Sequence, residues 1–227
     1  MRNTRLGVLG GTFDPIHFGH LDAADAASAA LALEEIVLIP AHDQPLRPVE
    51  PRATVYQRFA LTALAVDDRP DWRVSDMELV RQGRSYTEDT LRTLHDEGWG
   101  ASQIFFILGS DAFAGIAAWR GYPDFFDLAH FVVIARPGIT IDEATHRAPE
   151  LRPRMSPVPR EHVPSDGPTR IFLVHAQTRD VSSTMIRERL SSGQPIDELV
   201  PRAVARHIYK HHLYGAVDSL HGEDERI

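Results

Sequence analysis

The stretch Leu6-Gly7-Val8-Leu9-Gly10-Gly11-Thr12-Phe13-Asp14-Pro15-Ile16-His17-Phe18-Gly19-His20-Leu21 decides the fold. Leu6–Leu9 is continuously apolar and stops at two glycines. Beyond the turn, Leu21–Leu33 is alanine-rich, with Leu21, Ala24, Ser28 and Leu31 at helical spacing. An unbroken apolar run, rather than an alternating one, predicts a strand covered on both faces, as in a parallel sheet. Strand, glycine turn and helix form the opening unit of an α/β fold.

Working outward, the same pattern recurs. Apolar runs at Ile36–Ile39, Ile104–Leu108, Phe131–Ala135 and Ile171–Val174 predict four more buried strands, and Trp72–Asp76 a weaker one. Helices are expected between them. Ala53–Val66 carries an apolar stripe of Val55, Phe59, Ala60, Ala63 and Leu64. Ser85-Tyr86-Thr87-Glu88 has the form of a capping box before Thr90, Leu91 and Leu94. Ser183–Leu190 ends at Gly193 and Pro195, and Pro201 suits the first turn of Arg202–His212. Alternating strands and helices predict an α/β, Rossmann-like, doubly wound parallel sheet with a small C-terminal helical piece. One domain is expected over residues 1–215. The proline-rich stretch 139–169 reads as a surface insertion and 216–227 as a flexible tail.

Composition narrows the function. The 227 residues include no cysteine, which removes disulfides, thiolate metal sites and cysteine nucleophiles. Lys+Arg 24 against Asp+Glu 32 gives a formal charge of -8, which argues against a general nucleic-acid binder. A small anionic substrate stays compatible with that charge, because a few aimed cations suffice. No apolar run approaches the roughly 18 residues of a spanning helix. Leu6–Leu9 is too short for a signal segment, so a cytoplasmic protein with no membrane partner is expected.

Two constellations suggest phosphate chemistry. Gly10 and Gly11 allow close backbone approach and positive φ at the first strand-to-helix turn, where parallel sheets bind ligands. His17 and His20 share one face of the following helix, and imidazole donors beside backbone N–H groups make a small anion site. A tight turn with surface or metal-ligating histidines is the alternative, although no third ligand or H-E-x-x-H pattern accompanies them. Late in the chain, Val181-Ser182-Ser183-Thr184-Met185-Ile186-Arg187 can gather Ser182, Ser183 and Thr184 at a helix start, with Arg187 one turn on. That suits terminal phosphates; a merely capped helix with a solvated arginine is the alternative.

His17-Phe18-Gly19-His20 resembles the H-x-G-H signature of the nucleotidyltransferases related to class I aminoacyl-tRNA synthetases. The longer G-G-T-F-D-P-x-H-x-G-H string is similar to that of bacterial nicotinate-nucleotide adenylyltransferases, and the late turn resembles their I-S-S-T-x-I-R motif. The likeness runs from Leu6 to about Tyr214. It implies adenylyl transfer from ATP to nicotinate mononucleotide, with magnesium arriving as MgATP and no dedicated protein metal site. By the same resemblance Gly10, Gly11, Thr12, Phe13, His17, His20, Gly109, Asp111, Ser182, Ser183, Thr184 and Arg187 bind ATP, and His17, His20 and Arg187 are catalytic. Arg84–Leu91 resembles the family's S-Y-T-x-D-T-L segment. Ser85, Tyr86, Thr87, Trp119, Arg136 and Arg47 are then expected around the acceptor, with Trp119 stacking on its ring. Gln44-Pro45-Leu46-Arg47 departs from the family's P-x-H-K, and Arg120 follows Trp119 where an aromatic residue is common. A sister transferase acting on nicotinamide mononucleotide or another phosphate acceptor, and a non-catalytic nucleotide-binding regulatory module, are the alternative readings. Homo-oligomerisation is left open.

Overall fold

The structure, a computed structural model, describes residues 4–46, 49–135, 140–158 and 167–216. Its strands are β1 (Leu6–Gly11), β2 (Glu35–Pro40), β3 (Trp72–Val74), β4 (Ile104–Gly109), β5 (His130–Ile134), β6 (Met155–Pro157) and β7 (Ile171–Val174). The helices are α1 (Phe18–Leu31), α2 (Val55–Val66), α3 (Met77–Arg81), α4 (Thr87–Asp96), α5 (Ser110–Phe113), α6 (Ile141–His146), α7 (Ser183–Ser191) and α8 (Arg202–Lys210). The sheet runs in the order β3-β2-β1-β4-β5-β7-β6, and every pairing in it is parallel.

That order explains the sequence pattern. β1, β2, β4 and β5 lie inside the sheet and are covered on both faces. Val8 and Leu9, consecutive in β1, enter opposite cores and are both buried. One core holds α1, α2, α7 and α8 against the sheet. The other gathers Phe106, Phe113, Phe125, Phe126 and Phe131 beneath α4 and α5. Ring centroids there lie as close as 4.4 Å, between Phe126 and Phe131. Truncating such a buried ring to alanine costs about 3–5 kcal/mol.

Three local expectations are corrected. The inward side of α2 is Arg58, Leu61, Thr62, Ala65 and Val66, not the stripe read from its apolar residues. Two polar side chains face inward because each finds a partner: Thr62 Oγ1 donates to Arg58 O at 2.7 Å, and Arg58 binds the site loops. The proline-rich stretch, in its described part, supplies α6, a short 3-10 helix and the edge strand β6, and it buries Ile141, Ala144 and Leu151. An edge strand tolerates Pro157 because one of its sides has no ladder to complete. Ser85 does not cap α4. Tyr86 holds the N-cap position, and the Ser85 hydroxyl instead accepts from His42 N–H at 2.9 Å.

Candidate active site

The order of strands reverses between β1 and β4, and open parallel sheets bind ligands outside the carboxyl ends at such a point. A cleft lies there. Gly10 and Gly11 line it from the end of β1, Gly109 from the end of β4 and Asp111 from α5. His20, Ser85, Thr87 and Trp119 complete the wall. An adjoining space of about 510 Å³ shares Gln44, Ser85, Thr87, Ala112 and Trp119 with it and adds Tyr86, Arg84 and Arg120. That volume suits a mononucleotide-sized ligand.

The turn after β1 differs in detail from its sequence reading. The residue at positive φ is Phe13, at 50°, and neither Gly10 nor Gly11 is. Gly11 is needed for space: a Cβ there would stand 2.8 Å from the Phe13 ring. A non-glycine residue held at positive φ is strained, a condition concentrated at functional sites. Phe13 is 1% exposed and meets the His20 ring edge-on at 5.0 Å, so the strained residue backs the histidine. The Thr12 hydroxyl donates to Gln44 Oε1 at 2.6 Å, tying the turn to the loop after β2.

His17 and His20 stack, with centroids 3.7 Å apart and planes at 25°. Their positions differ: His17 is buried, whereas His20 faces the cleft. His20 Nδ1 accepts from His17 N–H at 3.3 Å. In the neutral ring that places the proton on Nε2. Gly19 permits this arrangement, since a Cβ there would lie 3.2 Å from the His17 ring and 3.3 Å from Arg179 O. The first amide of α1 is already used, because Phe18 N–H donates to Leu199 O at 3.0 Å.

The late serine–threonine–arginine turn docks on the first turn. Ser183 Oγ donates to Pro15 O at 2.9 Å, and Arg187 donates to Asp14 O at 2.7 Å. Arg187 also lies 3.7 Å from the fully buried Asp14 carboxylate and donates to Thr184 Oγ1 at 3.0 Å. Ser182 caps α7 by accepting from Met185 N–H at 3.1 Å. Ser183 and Arg187 therefore tie this turn to the first one. A salt bridge of Arg179 with Asp22 at 2.6 Å, with the guanidinium 3.8 Å over the Phe18 ring, reinforces the junction.

On the opposite wall, Trp119 is half-buried, edge-on to Phe106 at 6.3 Å, and also lines the cleft. Thr87 opens α4, and the Arg120 guanidinium covers the Tyr86 ring at 3.9 Å. Arg120 pairs with Asp89 and, at 3.6 Å, with Glu88, so the residue standing where an aromatic was expected joins the Trp119 loop to α4. Asp111 sits in the first turn of the four-residue α5, whose N-cap is Gly109. Arg47 and Arg136 lie outside the described residues.

Sequence reasoning missed three residues of this region. Arg58, 1% exposed, donates to Thr12 O at 2.6 Å, Ala41 O at 2.7 Å and His42 O at 3.2 Å. Its spacing from Leu61, Thr62 and Ala65 is the signal that places it on the inward face of α2. Gln44 lines the cleft and binds Thr12. Glu78, buried on α3, lines it as well; no motif marks Glu78, and Gln44 stands in the Gln44-Pro45-Leu46-Arg47 segment but is not read as a site residue from sequence. Among the described residues no group of three or more His, Asp or Glu could hold a metal ion, and no helix is long and apolar enough to cross a membrane.

Comparison with known proteins agrees with this architecture. The cytidylyltransferase-like family model matches residues 8–189. A protein of Roseiflexus sp., named a probable nicotinate-nucleotide adenylyltransferase, is 40% identical over 214 residues, covering 94% of this chain and 100% of that protein. One of the same name from Herpetosiphon aurantiacus is 40% identical over 210 residues, covering 92% and 98%. The fold is similar to the solved structure of Plasmodium falciparum nicotinic acid mononucleotide adenylyltransferase complexed with NaAD. The TM-score is 0.68 at 17% identity, over 94% of this chain and 98% of that one. The chain belongs to the cytidylyltransferase-like family, among its nicotinate-nucleotide adenylyltransferases.

Proposed function

We propose that the cleft transfers the adenylyl group of ATP to the phosphate of nicotinate mononucleotide, giving the deamido form of NAD and pyrophosphate. An oxygen of the acceptor phosphate forms the new bond to the α-phosphorus. The bond from that phosphorus to the β-phosphate bridging oxygen breaks, and pyrophosphate leaves. The nucleophile is already an anion, so no general base is needed. Catalysis is then alignment of the two substrates and stabilisation of charge on the transferring phosphate.

The observation that carries this reading is that one cleft is walled on one side by Gly10, Gly11 and His20 and on the other by Ser85, Thr87 and Trp119. Donor and acceptor can therefore meet over the carboxyl end of β1. In this account His20 donates from Nε2 to the α-phosphate, with the buried His17 stacked behind it. Arg187 and the Ser182–Thr184 turn receive the β- and γ-phosphates, and Asp111 takes the ribose. Trp119 stacks on the pyridine ring, and the backbone N–H groups at the start of α4 receive its carboxylate. Arg47 and Arg136 complete the acceptor's phosphate site. Magnesium enters as part of the MgATP substrate, where it neutralises the phosphates. Residues 1–215 act as one nucleotidyltransferase domain working in the cytoplasm.

Phosphorus NMR tests the reaction directly. With ATP and nicotinate mononucleotide, free pyrophosphate and the diphosphate signal of a dinucleotide should grow together in equal amounts. ATP binding with neither signal would identify a nucleotide-sensing module.

A further inference from the structure

The chain between β7 and α7 carries the late turn to the site, and residues 175–182 of it have no regular structure. Ala176 and Val181 pack against the core. Among the described residues, the hydrogen bonds of 175–180 run through Arg179. Its backbone N–H and its Nε both donate to Asp22 Oδ2 at 2.9 Å, and its Nη2 donates to Asp22 Oδ1 at 2.6 Å. The guanidinium lies 3.8 Å over the Phe18 ring, and the Arg179 carbonyl accepts from Val181 N–H at 3.0 Å. One carboxylate thus grips both the side chain and the backbone of Arg179, which fixes the path of the chain there as well as one rotamer. The side-chain hydrogen bond from Arg179 holds the Asp22 carboxyl below the usual carboxylate range.

Asp22 lies on α1, two residues beyond His20. The Arg179 carbonyl packs on the residue between the two histidines: a Cβ on Gly19 would stand 3.3 Å from it. Four residues on, Ser183 Oγ donates to Pro15 O at 2.9 Å, and four further on, Arg187 donates to Asp14 O at 2.7 Å. As the late chain advances through 179, 183 and 187, its partners step back through 22, 15 and 14. At the two later anchors side chains reach across. At Arg179 the late chain's own backbone is held, so the register of the whole contact is set there.

We propose that Asp22 is a positioning residue for ATP: its clasp on Arg179 sets the late turn in register against the His17–His20 turn, and so places the groups that receive the terminal phosphates. This rests on the ATP reading given above. A second clasp on the same helix separates register from mere anchorage. Asp25 accepts two bonds from Arg69, at 2.6 and 3.0 Å, and Arg69 covers the Trp72 ring at 4.1 Å. The two clasps are alike in charge and in build. The Asp25 clasp leads from α1 to the chain before β3, whereas the Asp22 clasp leads to the late turn.

The test is ATP binding by calorimetry without acceptor, with steady-state kinetics beside it, all on the full chain. Asp22→Ala should weaken ATP binding about tenfold, the equivalent of one charge-assisted hydrogen bond to phosphate. The KM for ATP should rise by a like factor, while the KM for nicotinate mononucleotide stays within about twofold. Arg179→Ala leaves the backbone N–H on Asp22 and should weaken ATP binding only about threefold; the double variant should be no weaker than Asp22→Ala. Asp25→Ala should stay within about twofold of wild type. Exposed ion pairs add little stability, so each Tm should fall by no more than about 4 °C. Unchanged ATP binding in Asp22→Ala overturns the proposal, as does an equal loss in Asp25→Ala or an equal rise in both KM values. If Asp22→Ala does not fold, Asp22→Asn, which keeps one oxygen but loses the charge, must weaken ATP binding at least about threefold; full affinity would overturn the proposal. Failure of the functional reading is distinct. No pyrophosphate with nicotinate mononucleotide would remove the acceptor and leave the ATP result standing, whereas wild-type protein that binds no ATP would take this inference down with the ATP reading.

Discussion

Replacing Arg58 by methionine tests how the site is supported from below. The guanidinium is 1% exposed and donates to Thr12 O, Ala41 O and His42 O at 2.6, 2.7 and 3.2 Å. Methionine keeps most of the volume and removes every donor. Each buried carbonyl left without its donor costs about 1–3 kcal/mol. The two short bonds to Thr12 and Ala41 dominate, and relief from burying a charge offsets part of the loss. A net destabilisation of about 3 kcal/mol remains, which for a chain of this size is a fall in Tm of about 6–12 °C. Thermal unfolding without nucleotide measures it. The Gly11–Thr12 turn and the His42 loop would also lose their common anchor, so the KM for ATP should rise several-fold at temperatures where the variant is folded. Arg58→Lys, which keeps the charge but not the planar fork, should recover less than half of the lost Tm. An Arg58→Met protein melting within 2 °C of wild type, with an unchanged KM for ATP, would refute this reasoning.

Three further outcomes follow from the same geometry. His20→Ala should lower kcat by about 10²-fold or more, the loss typical of one preorganised transition-state donor, while acceptor affinity measured by calorimetry changes little. Arg187→Ala should raise the KM for ATP far more than the KM for the acceptor; the reverse split would exchange the two ends of the cleft. Burial depresses His130 from 6.5 to about 4. The unfolded chain therefore takes up the proton first, and the stability tied to neutral His130 is full above about pH 6.5 and lost as the pH falls toward 4. The loss is about 3 kcal/mol. Urea unfolding across that range should show it, and in His130→Phe the decline should be shallower by that amount.

The fold was legible where burial is written in apolar runs. β1, β2, β4, β5 and β7 are covered on both faces, and all five stand within one or two residues of the predicted runs. β6 was not legible, because three residues ending in Pro157 carry no periodicity and gain their ladder only from β7. The inward face of α2 was misread for a related reason: Arg58 and Thr62 are inside by virtue of carbonyls supplied elsewhere, and a hydrophobic stripe cannot register them. At the site, the glycine turn, the histidine pair and the late turn were visible as spacing, and the structure brings them to one place. Their internal bonding was not visible. Neither the strain at Phe13 nor the engagement of Arg187 with Asp14 is a property of local sequence. Glu78 was hidden altogether, since only the folded chain shows that its carboxylate is buried between two helix starts.

Acceptor selectivity tests the central claim most directly. The start of α4 should offer two N–H donors to the pyridine carboxylate, and an amide would leave them mismatched. At about 1–3 kcal/mol per contact, the two give on the order of 10²–10³ in specificity. The measurement is kcat/KM for pyrophosphate release with ATP in excess and nicotinate mononucleotide, nicotinamide mononucleotide or phosphopantetheine as acceptor. The account predicts fast release with the nicotinate form, at least about 10²-fold slower use of the amide, and none with phosphopantetheine. A ratio near one, or a preference for either of the other acceptors, would contradict it.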